Sequence, residues 1–244
     1  MTRRRDLRDR RDRQRPVDEG MTLVELLVAI GLTSLLMIVV CGATVVALRA
    51  SDAAEARNDN LSVAQVGMAA ATKVIRTAVL PDQLDDRVCT GCADSAIVQA
   101  TGSQLSFYAN LDNAGNGPSL VTLQALADPD RSGTWMLRQT LVPPTVLSDG
   151  SYTFCDVTSA TCRFRTRVLC RGLPRNASVF RYYDFDGRVI ASTTLTTTDL
   201  IRVSTIDVSL TVQMRPGQTR TPAESILQRV NLPNADVNVL TDDD

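Results

Sequence analysis

The sequence contains no histidine, and only one lysine, Lys73, among 26 basic residues. The first absence removes the commonest general base and the commonest metal ligand. The second leaves arginine to carry nearly all the positive charge, a mark of genome base composition rather than of chemistry. No nucleophile-elbow serine, Walker loop or paired-histidine motif is present. An enzyme is therefore not expected, no catalytic residue is nominated, and no cofactor is called for. Charge is also missing locally: residues 26–48 carry none. No second apolar run of that length exists.

What is present is unevenly spread. The first twenty residues, MTRRRDLRDRRDRQRPVDEG, hold eight arginines and five acids, a net of +3. With a total of −1, residue 21 onward carries −4. The body offers no broad basic footprint, so nucleic acid is not an expected partner. As a helix, the uncharged run would be roughly 34 Å long, enough for a hydrocarbon core of about 30 Å. Dense arginine before the run predicts a cytoplasmic N-terminus and an extracytoplasmic body on a single-pass anchor. A cleaved signal peptide has a shorter apolar region, about 7–15 residues, and ends at a small-residue site. Cleavage after Ala50 is the form that alternative would take. A plain signal anchor is the other.

Neither alternative explains Glu25, at the cytoplasmic edge of the run. An ionised group at the centre of a membrane helix costs about 2.5–3.5 kcal/mol on insertion scales. Glu25 sits nearer the headgroups and costs less, but it still invites a positive partner. The stretch EGMTLVELLVAIG, Gly20 with Met21, Thr22, Leu23, Val24 and Glu25, resembles the prepilin-type cleavage and methylation motif of type IV pilins and type II secretion pseudopilins. Met21 stands where the family usually has phenylalanine. The resemblance implies that a prepilin peptidase cuts between Gly20 and Met21 and methylates the new amine of Met21. It implies that Glu25 receives a neighbouring subunit's terminal amine. It also implies other pilins or pseudopilins, an inner-membrane assembly platform and membrane lipid as partners. Charge pairs are strong in low dielectric, and an unpaired member is costly. Gly42 lies where major pilins often carry a helix-breaking proline. It would loosen the helix there, or simply let neighbouring helices approach.

The helix is expected to continue over 49–80, with Pro81 as its stop and the Asn58-Asp59-Asn60 cluster as a weak point. An irregular apolar stripe, Leu61 to Val79, asks for a sheet to cover it. From Ser95 the pattern becomes strands and turns: AIVQA, QLSFYANL, SLVTLQAL, TWMLRQTLV, FRTRVLC, SVFRYYDFDGRVI, IRVSTIDVSLTVQM and ESILQRVNLPN. The expected class is α+β, one long helix packed on a mainly antiparallel sheet. The expected divisions are a leader at 1–20, the membrane helix at 21–48, its continuation at 49–80, a β-rich extracytoplasmic domain at 81–238 and an acidic tail at 239–244.

Of six cysteines, Cys41 lies in the apolar run and is expected to pack as a small hydrophobe. Five in the polar body suggest disulfides in an oxidising compartment, with one left over. Cys89 and Cys92 could form a redox pair, half a zinc site or a small disulfide loop. A structural disulfide is preferred, because no βαβ context and no second closely spaced cysteine pair accompanies them. Cys155 and Cys162 make the other expected pair around DVTSAT, with Cys170 left over, although five cysteines allow other connectivities. Asp184, Asp186 and Gly187 resemble the start of a calcium loop without its later acidic ligand, and a hairpin turn accounts for them more simply.

VFRYYDFDG, LIRVSTIDVSLTVQM and ILQRVNLPN resemble the C-terminal pattern of PilW-type minor pilins and J-type minor pseudopilins. That resemblance implies a minor subunit active in filament initiation, priming or tip composition. The alternative is a membrane-anchored extracytoplasmic binding or adhesion protein that never polymerises.

Overall fold

The computed structural model describes residues 21–84, 87–112, 115–216 and 222–232. Helix α1 (Leu23–Ile75) begins in one unit, Met1–Ala50, and ends in a second, Ser51–Asp244. In the first unit every described residue is exposed. The helix there is long and apolar enough to cross a membrane.

The second unit is α+β. Its larger sheet has the order β1 (Ile97–Ala100), β2 (Gln104–Ala109), β3 (Ser119–Ala127), β4 (Trp135–Val142) and β7 (Arg165–Leu173). A smaller sheet has the order β10 (Glu224–Asn231), β9 (Thr205–Val212) and β8 (Phe180–Tyr183). A ribbon joins β5 (Thr145–Val146) to β6 (Tyr152–Thr153). Every strand pair in these sheets is antiparallel. Strand β3 alternates buried and half-buried residues along its length, the two-residue period of a sheet with one face in the core. Val121, Leu123, Leu105, Phe107 and Leu137 fill that face, and Ala64, Met68, Ala71 and Ile75 of α1 close over it.

Close packing of helix on sheet follows from small residues. Gly67 lies against β7: a Cβ there would stand 2.7 Å from the Cys170 Cβ and 3.1 Å from the Leu169 carbonyl oxygen. The helix therefore reaches β7 near Gly67. Ten residues later the chain reaches β2, where the Asn110 amide donates to the Thr77 oxygen and the Val79 amide to the Tyr108 oxygen. It thus crosses the strands of the larger sheet rather than running along them.

Three expectations need correction. The helix ends at Ile75, not Leu80, because Ala78 bridges to Ala109 and Val79 bonds to β2. Sheet hydrogen bonds outcompete a further helical turn, and Pro81 opens a short 3-10 turn, Pro81–Gln83. The Asn58–Asn60 cluster does not interrupt the helix. Asn60 is buried, its amide donates to the Pro222 oxygen at 3.1 Å, and its Oδ1 accepts the Met214 amide at 2.9 Å. It ties the helix to both ends of the β9–β10 connection. Finally, the alternating run beginning at Ile201 is not one strand. Helix α2 (Thr197–Ile201) occupies its start, capped reciprocally by Thr196 and Asp199. Ile206, Val208, Leu210 and Val212 keep the inward alternation of β9, while Ile201 is exposed.

On the outer side of the smaller sheet, Arg229 grips Asp207 through both carboxylate oxygens, at 2.7 and 2.9 Å, and lies 4.3 Å over the Tyr183 ring. Those hydrogen bonds outweigh burial and hold the Asp207 carboxyl below its usual range.

Candidate assembly site

The site nominated by sequence begins at Gly20, which lies outside the described residues. So do the leader at 1–20 and the tail at 239–244. Met21 is described and exposed. Thr22 precedes the first helical residue, and its Oγ1 accepts the Glu25 amide at 3.3 Å. Glu25 Oε2 in turn accepts the Thr22 amide and the Thr22 hydroxyl, both at 3.0 Å. This is a reciprocal capping box, which satisfies two amides that a helix start otherwise leaves without partners. A carboxylate at this position also lies at the positive end of the helix dipole.

The cap changes how Glu25 is understood. Thr-x-x-Glu ahead of an apolar run is a sequence-level capping signal, and the sequence reading treated Glu25 only as a membrane charge. Glu25 has a local role inside one chain, as the acceptor of a helix cap. Both hydrogen bonds fall on Oε2, and a carboxylate offers about four acceptor sites. The cap therefore leaves acceptor capacity for an approaching amine.

Beyond the cap, α1 presents an apolar sleeve. Leu26, Leu27, Ile30, Leu35, Met37 and Ile38 are all more than half exposed. Its few hydroxyls bond inward: Thr33 donates to Ala29, Ser34 to Ile30 and Thr44 to Val40, at 2.7–2.8 Å. No polar hydrogen is thereby turned toward an apolar surrounding. Gly42 sits inside continuous helix, and beyond the adjoining backbone of that helix no atom lies within 4 Å of where its Cβ would be.

The disulfides Cys89–Cys92 and Cys155–Cys162 have Cα separations of 5.5 and 5.4 Å. They flank the β5–β6 ribbon. Thr90 donates to the Tyr152 oxygen and Tyr152 to the Val88 oxygen, which docks the first loop on β6. Phe154, next to Cys155, stacks on Tyr108 with ring centroids 5.5 Å apart. The ribbon escaped the sequence reading because its strands are two residues long. Its Asp149-Gly150 turn was the available signal, and Gly150 takes a φ of +85° there.

Cys170 is free and buried against α1, and burial pushes its thiol up to about 12. At neutral pH it holds almost no thiolate, the reactive form. In a Cys41→Ser background, the folded chain should take up no maleimide at pH 7. It should take up one equivalent after denaturation without reductant. Rapid labelling of the folded form would show that the contact between α1 and β7 opens.

Asp184 and Asp186 are occupied by protein groups. Asp184 accepts the Arg188 amide at 2.8 Å and pairs with Arg202 at 3.2 Å, while Asp186 pairs with Arg188 at 2.8 Å. Gly187, at φ +74°, completes the turn. Among the described residues, no group of three or more Cys, Asp or Glu side chains gathers to hold a metal ion. No protein-family profile matches the chain, and no curated protein does.

Proposed function

We propose that this chain is a minor type IV pilin or pseudopilin. It is made as a prepilin, cut by a prepilin peptidase between Gly20 and Met21, and assembled through its N-terminal helix into a pilus or secretion pseudopilus. The observation that carries this is Gly20-Met21-Thr22 with Glu25, set directly before an uncharged span and continued by one helix into a sheet-packed half. A cut after Gly20 would leave a single residue ahead of the cap. The new amine would then lie beside the helix start, within the reach that an inter-subunit contact with Glu25 requires. The leader's arginines support a cytoplasmic N-terminus and a body outside the cytoplasmic membrane.

A second reading has its own support. Because Thr22 satisfies part of the Glu25 carboxylate, Glu25 is accounted for without any neighbour. A single-pass anchored binding or adhesion protein that never polymerises would carry the same cap.

Processing separates the two. Intact-mass and N-terminal peptide measurements on membrane-extracted protein should find a chain beginning at Met21, methylated on its amine. A retained leader in cells with active prepilin peptidase, or a start near Ser51, would refute the pilin reading.

A further inference from the structure

Strand β7 closes one edge of the larger sheet, and its two halves differ. It pairs with β4 along one side, where Leu137 faces Cys170 and Arg138 faces Val168, so Leu169 is an extra residue that bulges the strand. From that bulge onward Leu169, Cys170 and Leu173 are buried, and the Gly172 oxygen accepts the Gln213 amide at 2.8 Å. Before it, Arg165, Thr166, Arg167 and Val168 are all exposed. Among the described residues, none of these four has a backbone hydrogen bond outside the β4 ladder. In a strand paired on one side, alternate residues turn N–H and C=O to the other side. The first half of β7 is therefore an open sheet edge.

Both faces of that edge are patterned. Phe164, Thr166 and Val168 alternate with Arg163, Arg165 and Arg167, and residues two apart on a strand share a face. Phe164 is 42% exposed and Val168 38%, so the apolar side is as open as the basic one. Arg165 is held by Asp112. Arg163 and Arg167 have no ion pair among the described residues. A cavity of about 260 Å³ lies at the start of the strand, with Leu141, Pro143 and Phe164 as apolar walls and Arg163, Arg165 and Asp112 as charged ones.

Charge alone would suffice to guard an edge against a second strand. Free ladder groups, an exposed apolar side and a cavity at one end are what a strand-adding peptide uses: ladder bonds give affinity, and side-chain pockets give specificity. Opposite charges and apolar groups set across two strands are favourable pairs. We propose that the open edge of β7 receives an extended segment of a partner protein, one that alternates carboxylate and apolar side chains. Its carboxylates meet Arg163 and Arg167, its apolar side chains lie beside Phe164 and Val168, and its backbone continues the five-stranded sheet. A side chain at one end of the segment enters the cavity. The contact uses neither leader cleavage nor the start of α1, so it holds or fails independently of the assembly proposed above.

The test uses the full-length protein in a neutral detergent and a fluorescent peptide of four Glu-Val repeats, with binding followed by anisotropy. The Glu-Val peptide should bind, and a Lys-Val peptide should not. Strand addition has a signature that charge attraction lacks, because only alternate residues of the added strand bond to β7. Two further peptides, one N-methylated on its valines and one on its glutamates, should therefore differ. One loses binding by about tenfold or more, and the other keeps it. Arg163→Glu combined with Arg167→Glu should weaken the Glu-Val peptide about tenfold and admit the Lys-Val peptide. Gain of the second ligand excludes misfolding as the cause of losing the first. No binding of the Glu-Val peptide would overturn the proposal and leave the arginines and the bulge as guards of the edge. Equal binding of the two methylated peptides would overturn it as well, in favour of a basic patch without strand pairing. So would an affinity indifferent to Arg163 and Arg167.

Discussion

Replacing Gly67 with valine should destabilise the α+β unit by about 1–3 kcal/mol, the usual cost of overpacking a well-filled interface. For a body of this size that is a fall in melting temperature of roughly 2–4 °C per kcal/mol. Two effects compete at this site. Any side chain gains helix propensity over glycine, up to about 1 kcal/mol for alanine. Against that, the Cβ would stand 2.7 Å from the Cys170 Cβ and 3.1 Å from a β7 carbonyl. Neither neighbour is the loose end of a long side chain, so relief requires α1 and β7 to move apart. The steric cost should win even for Gly67→Ala. Gly42→Ala is the control: beyond the adjoining helix backbone nothing lies within 4 Å of that Cβ, and the melting temperature of the body should not change. Circular dichroism of detergent-solubilised protein measures all three. A Gly67→Val protein that melts like the parent would mean that α1 does not approach β7 this closely.

Glu25→Ala and Glu25→Gln should both leave the protein in the membrane and poorly recruited to partner subunits, by about tenfold or more. Under the proposed processing, leader cleavage should persist in both, because neither variant alters Gly20. The pair is informative because of the capping box. Glutamine at the third helical position can still accept from Thr22, so Glu25→Gln keeps the cap and loses only the charge. Alanine loses both. If recruitment follows charge, the two variants fail together. If it follows the cap, Glu25→Gln assembles normally and Glu25→Ala does not. Thr22→Ala supplies the converse, a weakened cap with the charge retained, at a cost of about 0.5–2 kcal/mol to the helix start. Cross-linking to co-expressed partner pilins reads out all three. Normal recruitment of both Glu25 variants would mean that recruitment depends on neither the charge nor the cap.

Much of the architecture was legible because it depends on local composition. An uncharged run of more than twenty residues permits little besides a spanning helix, and alternation in SLVTLQAL or TIDVSLTV marks a half-buried strand. What was missed depends on contacts between distant residues or on very short elements. Nothing near Asn60 indicates that Met214 and Pro222 will satisfy its amide. Ala78 and Val79 are adequate helix residues until β2 offers them a ladder. Helix α2 was hidden because its Leu200 and Ile201 extend the apolar pattern of β9, although Thr196 and Asp199 stood at capping distance. The same spacing at Thr22 and Glu25 was visible too, but a carboxylate beside a membrane span drew attention to its charge and away from its hydrogen bonds.

The apolar sleeve of α1 has one more consequence. Leu, Ile and Val side chains that leave lipid for a bundle of similar helices exchange one oily medium for another. Association of such helices therefore gains little from water expulsion, the force that drives most protein assembly. A sleeve with so few polar features is also nearly featureless to a neighbour: it can slide or rotate at small energetic cost. In the assembly proposed above, register between subunits would be set by the sparse groups that tell one depth or azimuth from another. In this chain the groups of that kind are the carboxylate at the start of the helix and the bare backbone at Gly42.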